Sequence, residues 1–195
     1  MANLASMYRV QGRWKEAEEL DVQVMETSIM ELGKEHPGTL TSMANLASTY
    51  KRQGRWKEAE ELEIQVIERR KRVLGAEHPS TLTSIANLAS TYRNQGRWNE
   101  AEVLDMQVVE TRKRVLGGEH PETLTSMNNL AFTWKRQDRV AEAIELMERC
   151  AQLMTKVLGC EHPYTVSSSA ALIKWKTERL KLTDALSDHA ESDRS

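Results

Sequence analysis

One stretch of this chain occurs twice, almost unchanged. Thr41 to Leu62 reads TSMANLASTYKRQGRWKEAEEL, and Thr83 to Leu104 reads TSIANLASTYRNQGRWNEAEVL. The copies differ at Met43/Ile85, Lys51/Arg93, Arg52/Asn94, Lys57/Asn99 and Glu61/Val103 alone. A partial copy opens the chain and a diverged copy starts at Thr125. Such self-similarity limits the fold more than any single motif does. Like units must stack in a row, each burying its apolar face against the next.

The period is 42 residues: Gly12, Gly54 and Gly96 keep that step, and so do His36, His78, His120 and His162, each within Glu-His-Pro. Within a period the pattern predicts two helices. Helix A starts near Pro37, since proline suits a first turn whose N–H has no partner anyway. Leu40, Met43, Leu46, Ala47 and Tyr50 follow at three- and four-residue spacing, a helical apolar stripe. Gly54 closes helix A in the left-handed conformation that glycine accepts. Helix B runs from about Trp56, with Ala59, Leu62, Val66, Ile67, Val73 and Leu74 on its stripe, and Gly75 ends it.

The resulting expectation is an all-α fold, a solenoid of antiparallel helix pairs. It comprises a partial repeat (1–36), repeats at 37–78, 79–120 and 121–162, a capping helix (163–182) and a polar tail (183–195) expected to fray. Met1 is in phase with Met43, so the first A helix lacks its opening turn, as in a fragment of a longer array or a start inside one. In the fourth repeat Asp138 replaces the turn glycine and Val140 the tryptophan.

Composition narrows the class of work. Of 195 residues 29% are charged and only 5% aromatic, which suits long solvated helices with a thin apolar seam. The net charge of −2 gives no general attraction to nucleic acid or anionic membranes. No apolar run reaches the roughly 20 residues of a membrane span. Cys150 and Cys160 fit reduced thiols of a cytoplasmic protein better than a disulfide framework.

The small-x-x-Tyr, Gly, aromatic and Ala spacing of Leu46, Ala47, Tyr50, Gly54, Trp56 and Ala59 is similar to the tetratricopeptide repeat. The usual repeat has about 34 residues. The additional eight here would lengthen helix B by about two turns, roughly 12 Å, and build the Gly-x-Glu-His-Pro loop. That longer form resembles kinesin light chain repeats, as do Gly75 to Pro79, Asn128-Asn129-Leu130-Ala131 and the Glu-Ala-Glu of helix B. The near-identical copies also resemble arrays at the C-terminus of fungal and bacterial NACHT or NB-ARC receptors. One departure stands out: Glu63 and Asp105 occupy the place, four after the helix B alanine, where the family often has an aromatic. A HEAT-type helix-pair solenoid fits the period too, but the glycine-aromatic turn and Ala-x-x-Tyr speak against it.

Several residue sets invite chemistry. Four histidines in phase suggest a metal, but ligands must converge, and one per repeat does not; a helix-start turn is the expected role. Glu58, Glu60, Glu61, Glu100 and Glu102 read as a solvated face with i, i+4 partners. The runs Arg69-Arg70-Lys71-Arg72 and Arg112-Lys113-Arg114 read as helix surface, and Trp14, Trp56 and Trp98 as core. No phosphate loop, nucleophile elbow or Cys-x-x-Cys occurs, so neither catalysis nor a cofactor is expected.

One stripe points outward. Thr41, Asn45, Ser48 and Arg52 fall on one narrow helix A face, nearly opposite the apolar stripe. Repeats give Thr83, Asn87, Ser90 and Asn94; then Thr125, Asn129, Phe132 and Arg136, beside Asn128; and Asn3 and Ser6 at the start. The resemblance implies that the solenoid is a right-handed superhelix, that helix A lines its concave wall and that Asn45, Asn87 and Asn129 hydrogen-bond an extended peptide. An asparagine amide serves either sense of backbone, being both donor and acceptor. Arg52, Arg93, Lys135 and Arg136 would favour acidic side chains. Phe132 is an apolar contact for a ligand or for the capping helix. The expectation is therefore a non-catalytic protein-interaction scaffold, with no nucleic-acid or membrane partner. The alternative is a self-associating or sensor segment of a larger NACHT or NB-ARC signalling protein, working through uncapped repeat ends.

Overall fold

The structure, a computed structural model, describes the backbone of residues 2–192 and the side chains of residues 3–181. The phase of Met1 and the last tail residues, 193–195, lie outside the described residues. Among the described residues there are helices and turns but no strand: α1 (Ala2–Val10), α2 (Trp14–Leu32), α3 (Pro37–Arg52), α4 (Trp56–Leu74), α5 (Pro79–Asn94), α6 (Trp98–Leu116), α7 (Pro121–Arg136), α8 (Val140–Leu158) and α9 (Pro163–Ser192). Odd-numbered helices are A and even-numbered ones B, an all-α repeat array. They group into two compact units, residues 1–104 and 105–195. α9 runs ten residues beyond the expected end of the capping helix. No proline or glycine follows Pro163 to stop it.

Each A helix begins the same way. The N-cap histidine Nδ1 accepts the N–H two residues on: Gly38 for His36 (3.0 Å), Ser80 for His78 (3.1 Å), Glu122 for His120 (3.2 Å) and Tyr164 for His162 (3.2 Å). The imidazole thus fills an orphan donor of the first turn. Proline at the next position needs none. Thr39, Thr81 and Thr123 then donate to the carbonyls of Gly33, Gly75 and Gly117 at 2.8–2.9 Å, clipping each A helix to the end of the preceding B helix. At the A–B turn, Gly54 and Gly96 both have φ +77°, and Asp138 takes the same left-handed region at φ 64°. Aspartate tolerates that region better than most side chains.

The apolar core lies between helices. In the first unit Leu40, Met43 and Val66 cluster with Met25, Ala44 and Leu62. In the second, Leu124, Met127, Leu130, Cys150 and Met154 form one cluster. Ala131, Ala143, Ile144, Met147 and Trp175 form another. Trp56 is only half-buried, as are Trp14 and Trp98, which corrects their assignment to the core. They sit at the inter-helix turn, partly exposed to solvent.

Carboxylates are buried where the family often has an aromatic. Asp21, Glu63 and Asp105 are 3%, 4% and 2% exposed. Each accepts from a threonine of the next A helix: Thr49 at 2.6 Å, Thr91 at 2.6 Å and Thr133 at 2.8 Å. Asp21 also takes Arg9 at 2.7 Å, and Glu63 takes Lys51 at 3.0 Å, both from the A helix of the same repeat. One carboxylate therefore joins three successive helices, and a short acid meets a long base where a long acid meets a shorter one. Arg70 and Arg112 depart from the expected helix surface. They are 8% and 6% exposed and donate to Ser84 and Ser126 at 2.7 and 2.8 Å, pinning the next A helix. The solvated acidic face is only partly so: Glu60 accepts from Gln95 and Arg97 of the next repeat at 2.9 and 2.8 Å, and Glu18 from Gln53 and Arg55 at 2.8 and 2.6 Å.

Replacing Glu63 by alanine strands Thr91 and Lys51 in the interior and should cost about 3 kcal/mol in a urea titration. Glu63→Met with Thr91→Val and Lys51→Met should recover most of that loss, because no buried polar group then lacks its partner; equal loss in both variants would contradict the role given to the carboxylate. The thiols give a second check. Cys150 is buried, donates to the Leu124 carbonyl at 3.2 Å, and burial pushes its pKa up to about 11. Cys160 is exposed. A disulfide-exchange reagent should therefore titrate Cys160 alone in the native protein and both thiols after unfolding.

Candidate interaction face of the A helices

In the first unit, Ser48, Lys51 and Arg52 of α3, Trp56 of α4, and Asn87, Ser90 and Asn94 of α5 line one groove of about 500 Å³. Five of these were expected from the sequence stripe; Lys51 and Trp56 were not. Lys51 reaches it because its ammonium, held by Glu63, also donates to the Asn87 carbonyl at 3.4 Å. The recurrence of Trp at the turn was the available signal for Trp56, but periodicity alone does not tell a half-open ring from a core one.

The amides on this face are uncommitted. Asn45 is half-buried and Asn87 exposed, and neither side chain makes a hydrogen bond. The Ser48 and Ser90 hydroxyls have no partner either, and Arg52 is exposed without an ion pair. Asn94 is partly committed, donating to the Ser90 carbonyl at 2.9 Å. Thr41 and Thr83 lie off the groove lining and are turned back on their own helix, donating to the carbonyls of Pro37 and Pro79 at 2.9 Å. Asn45 is also off that lining.

A wider cavity of about 750 Å³ opens beside the turn, lined by Trp56, Lys57, Glu58, Glu60, Asn94, Gln95 and Arg97 among others. Trp56 and Asn94 border both spaces. Its rim is rigid. Arg55 lies over the Tyr50 ring at 4.1 Å and Arg97 over Tyr92 at 4.0 Å. Burial alone would raise the pKa of Glu60, but hydrogen bonds from Arg97 and Gln95 hold it below the usual carboxylate range. Burial of Glu18 is likewise outweighed by Arg55 and Gln53. These carboxylates are ionised partners of arginine, not proton carriers.

The second unit presents the same stripe in altered form. The Asn129 amide is half-buried and makes no hydrogen bond, while Thr125 donates to Pro121 at 2.9 Å. Arg136 is exposed. Asn128 is not an open amide, since its Oδ1 accepts from Ser168 of α9 at 2.9 Å. Lys135 pairs with Glu178 of α9 at 3.1 Å and so adds little to a pull on acidic ligands. Phe132, still 38% exposed, stacks edge-on against Trp175 of α9 with ring centroids 5.0 Å apart, so it serves the capping helix. Asn3 and Ser6 are exposed on α1.

Among the described residues no group of three or more His, Cys, Asp or Glu is placed to hold a metal, and no helix is long and apolar enough to cross a membrane. The four histidines turn one ring nitrogen to a cap, as described above.

Comparison with known proteins agrees with this geometry. Tetratricopeptide repeat family models match residues 1–72, and residues 81–122 and 123–164. A solved structure from Podosopora anserina, described as a putative kinesin light chain with nearly identical TPR-like repeats, is 34% identical. The match covers all of this chain and 95% of that one, with TM-score 0.78; a single-substitution variant of the same protein gives 0.79 at the same identity and coverage. BtubC (BKLC) from P. vanneervenii, 23% identical, superposes with TM-score 0.76 over 98% of this chain and 77% of its own, which speaks to the fold alone. No curated protein matches the chain. With its helix pairs, its 42-residue period and these matches, the chain belongs to the tetratricopeptide repeat family, its repeats being of the kinesin light chain-like kind.

Proposed function

We propose that the chain is a non-catalytic interaction scaffold whose A-helix face binds an extended peptide or peptide-like segment of a partner protein. Tetratricopeptide arrays are generally protein-interaction scaffolds, and the uncommitted amides of Asn45 and Asn87 carry the finer reading. A folded protein rarely leaves polar side chains unpaired in register without water or a partner to meet them. An extended backbone offers alternating N–H and C=O groups, which amides match in either sense. Arg52, exposed and without a counter-ion, biases the groove toward acidic side chains. The Trp56 ring beside it offers an apolar surface for a neighbouring residue.

A second reading is self-association through a repeat end, as a sensor or autoinhibitory segment of a NACHT or NB-ARC type signalling protein. It draws on α1, where Leu4, Met7 and Val10 are 42%, 57% and 87% exposed. If it holds, the mass measured by light scattering should rise with concentration, and Met7→Asp should keep the chain monomeric.

For the first reading, peptides selected from an unbiased library should bind the native chain. Asn45→Ala with Asn87→Ala should weaken them about thirtyfold, at about 1 kcal/mol for each of the two hydrogen bonds lost. The melting temperature should hold, since neither amide has an intramolecular partner. Arg52→Glu should reverse any preference for acidic residues. Selected peptides whose affinity ignores all three substitutions would remove this face from consideration.

A further inference from the structure

α7 and α9 are both A helices, and 42 residues separate their equivalent positions. On α7, Leu124 and Ala131 are both 0% exposed. Leu124 packs with Cys150 and Leu146 of α8, and Ala131 with Ala143. This is the face that an A helix turns to the B helix of its own repeat. On α9 the equivalent residues are Val166 and Ile173, and they are 51% and 65% exposed. Ala170, Thr177 and Leu180 (63% exposed) extend the same line. At about 100° per residue these five fall within an arc of about 80°, and their alternating spacing of four and three is that of a helix-packing seam. Trp175, on the opposite side of α9, is 5% exposed against α8. α9 is thus amphipathic twice over, and only one of its apolar faces is covered.

The margins of the open seam are basic. Lys174 and Lys181 flank one side and Lys176 the other. Lys176 is held by Glu148 of α8, and Lys174 lies 4.0 Å from Glu178. Two copies of α9 laid together, parallel or antiparallel, would bring these lysines face to face, an unfavourable pairing.

We propose that the outward face of α9 is a docking surface for one amphipathic helix of another protein, carrying acidic residues beside its apolar stripe. It would lie on α9 as α8 lies on α7, with its stripe over Val166, Ile173 and Leu180 and its acids toward Lys174 and Lys181. This surface is separate from the amide-lined groove and does not depend on it.

The probe is a fluorescein-labelled synthetic peptide of residues 140–158, the α8 sequence, which covers the equivalent face of α7 and carries Glu142, Glu145 and Glu148. Fluorescence anisotropy on the full chain should show saturable binding. Ile173→Asp should weaken it at least about tenfold, the loss expected when one buried branched side chain becomes a charge. Lys174→Glu with Lys181→Glu should weaken it several-fold, and Asn45→Ala with Asn87→Ala should leave it unchanged. Ile173, Lys174 and Lys181 are exposed, so circular dichroism should show the fold intact. No binding, or binding indifferent to Ile173→Asp, would overturn the proposal. So would a dimer in light scattering that Ile173→Asp separates, since the face would then belong to a second copy.

Discussion

A buried carboxylate on each interior B helix sets the spacing of this array. Asp21 and Glu63 each accept from the A helix before them and from the A helix after them, while apolar side chains fill the space around. Aromatic packing at the same place would hold helices together without much regard to which ones. A carboxylate with two required partners is less forgiving, because a slipped neighbour leaves a buried charge unpaired. That matters in a chain whose repeats are nearly identical, where apolar faces alone offer several equivalent ways to stack. The base and acid also change together: Arg9 meets Asp21 and Lys51 meets Glu63, so the reach of each pair stays similar.

The last repeat shows what happens where the pattern stops. Three B-helix positions that are polar in the preceding repeats turn apolar on α8: Ile144 replaces Glu60 and Glu102, Met147 replaces Glu63 and Asp105, and Met154 replaces Arg70 and Arg112. Their partners on α9 change with them. Trp175 stands where Thr91 and Thr133 stand, and packs in one cluster with Ile144 and Met147. Phe132, the one aromatic on the otherwise polar A-helix stripe, meets the Trp175 ring. Lys135, left without a carboxylate at position 147, turns to Glu178. These substitutions form one concerted exchange of a polar joint for a dry one. An α9 carrying Trp175 would meet a buried acid on any interior B helix, which restricts it to α8.

The fold was legible in the sequence because its signals are local and repeated: the 42-residue step, the Pro and Gly punctuation, and the 3.6-residue stripe. The N-cap role of His78 was legible for the same reason. What stayed hidden depends on contacts between repeats. Arg70 reads as one charge in a basic run, and nothing in the run itself says that it points into Ser84 rather than into water. Glu60 reads as surface until Arg97 and Gln95 of the next repeat are placed beside it. Asn128 and Asn129 are indistinguishable as letters. They are about 100° apart on α7, and only the first faces Ser168. α9 outruns its expected length because a polar composition does not end a helix, whereas breakers and caps do.

Hydrogen bonding separates the two halves of the outward stripe. Thr41, Thr83 and Thr125 recur, but each is spent on the carbonyl four residues back, an interaction that helix geometry alone explains. Asn45, Asn87 and Asn129 recur equally and are spent on nothing within their own units. Copying by duplication accounts for recurrence in both sets and so decides nothing between them. Satisfaction of the side chains is what distinguishes them. An asparagine contributes less to helix stability than alanine would, and in exchange these three give the fold no bond. The proposed partner-binding role therefore falls to the residues whose presence folding does not explain. By that criterion the proposal keeps Asn45, Asn87, Asn129, Ser48, Ser90 and Arg52, while the threonines drop out and Phe132 passes to the cap.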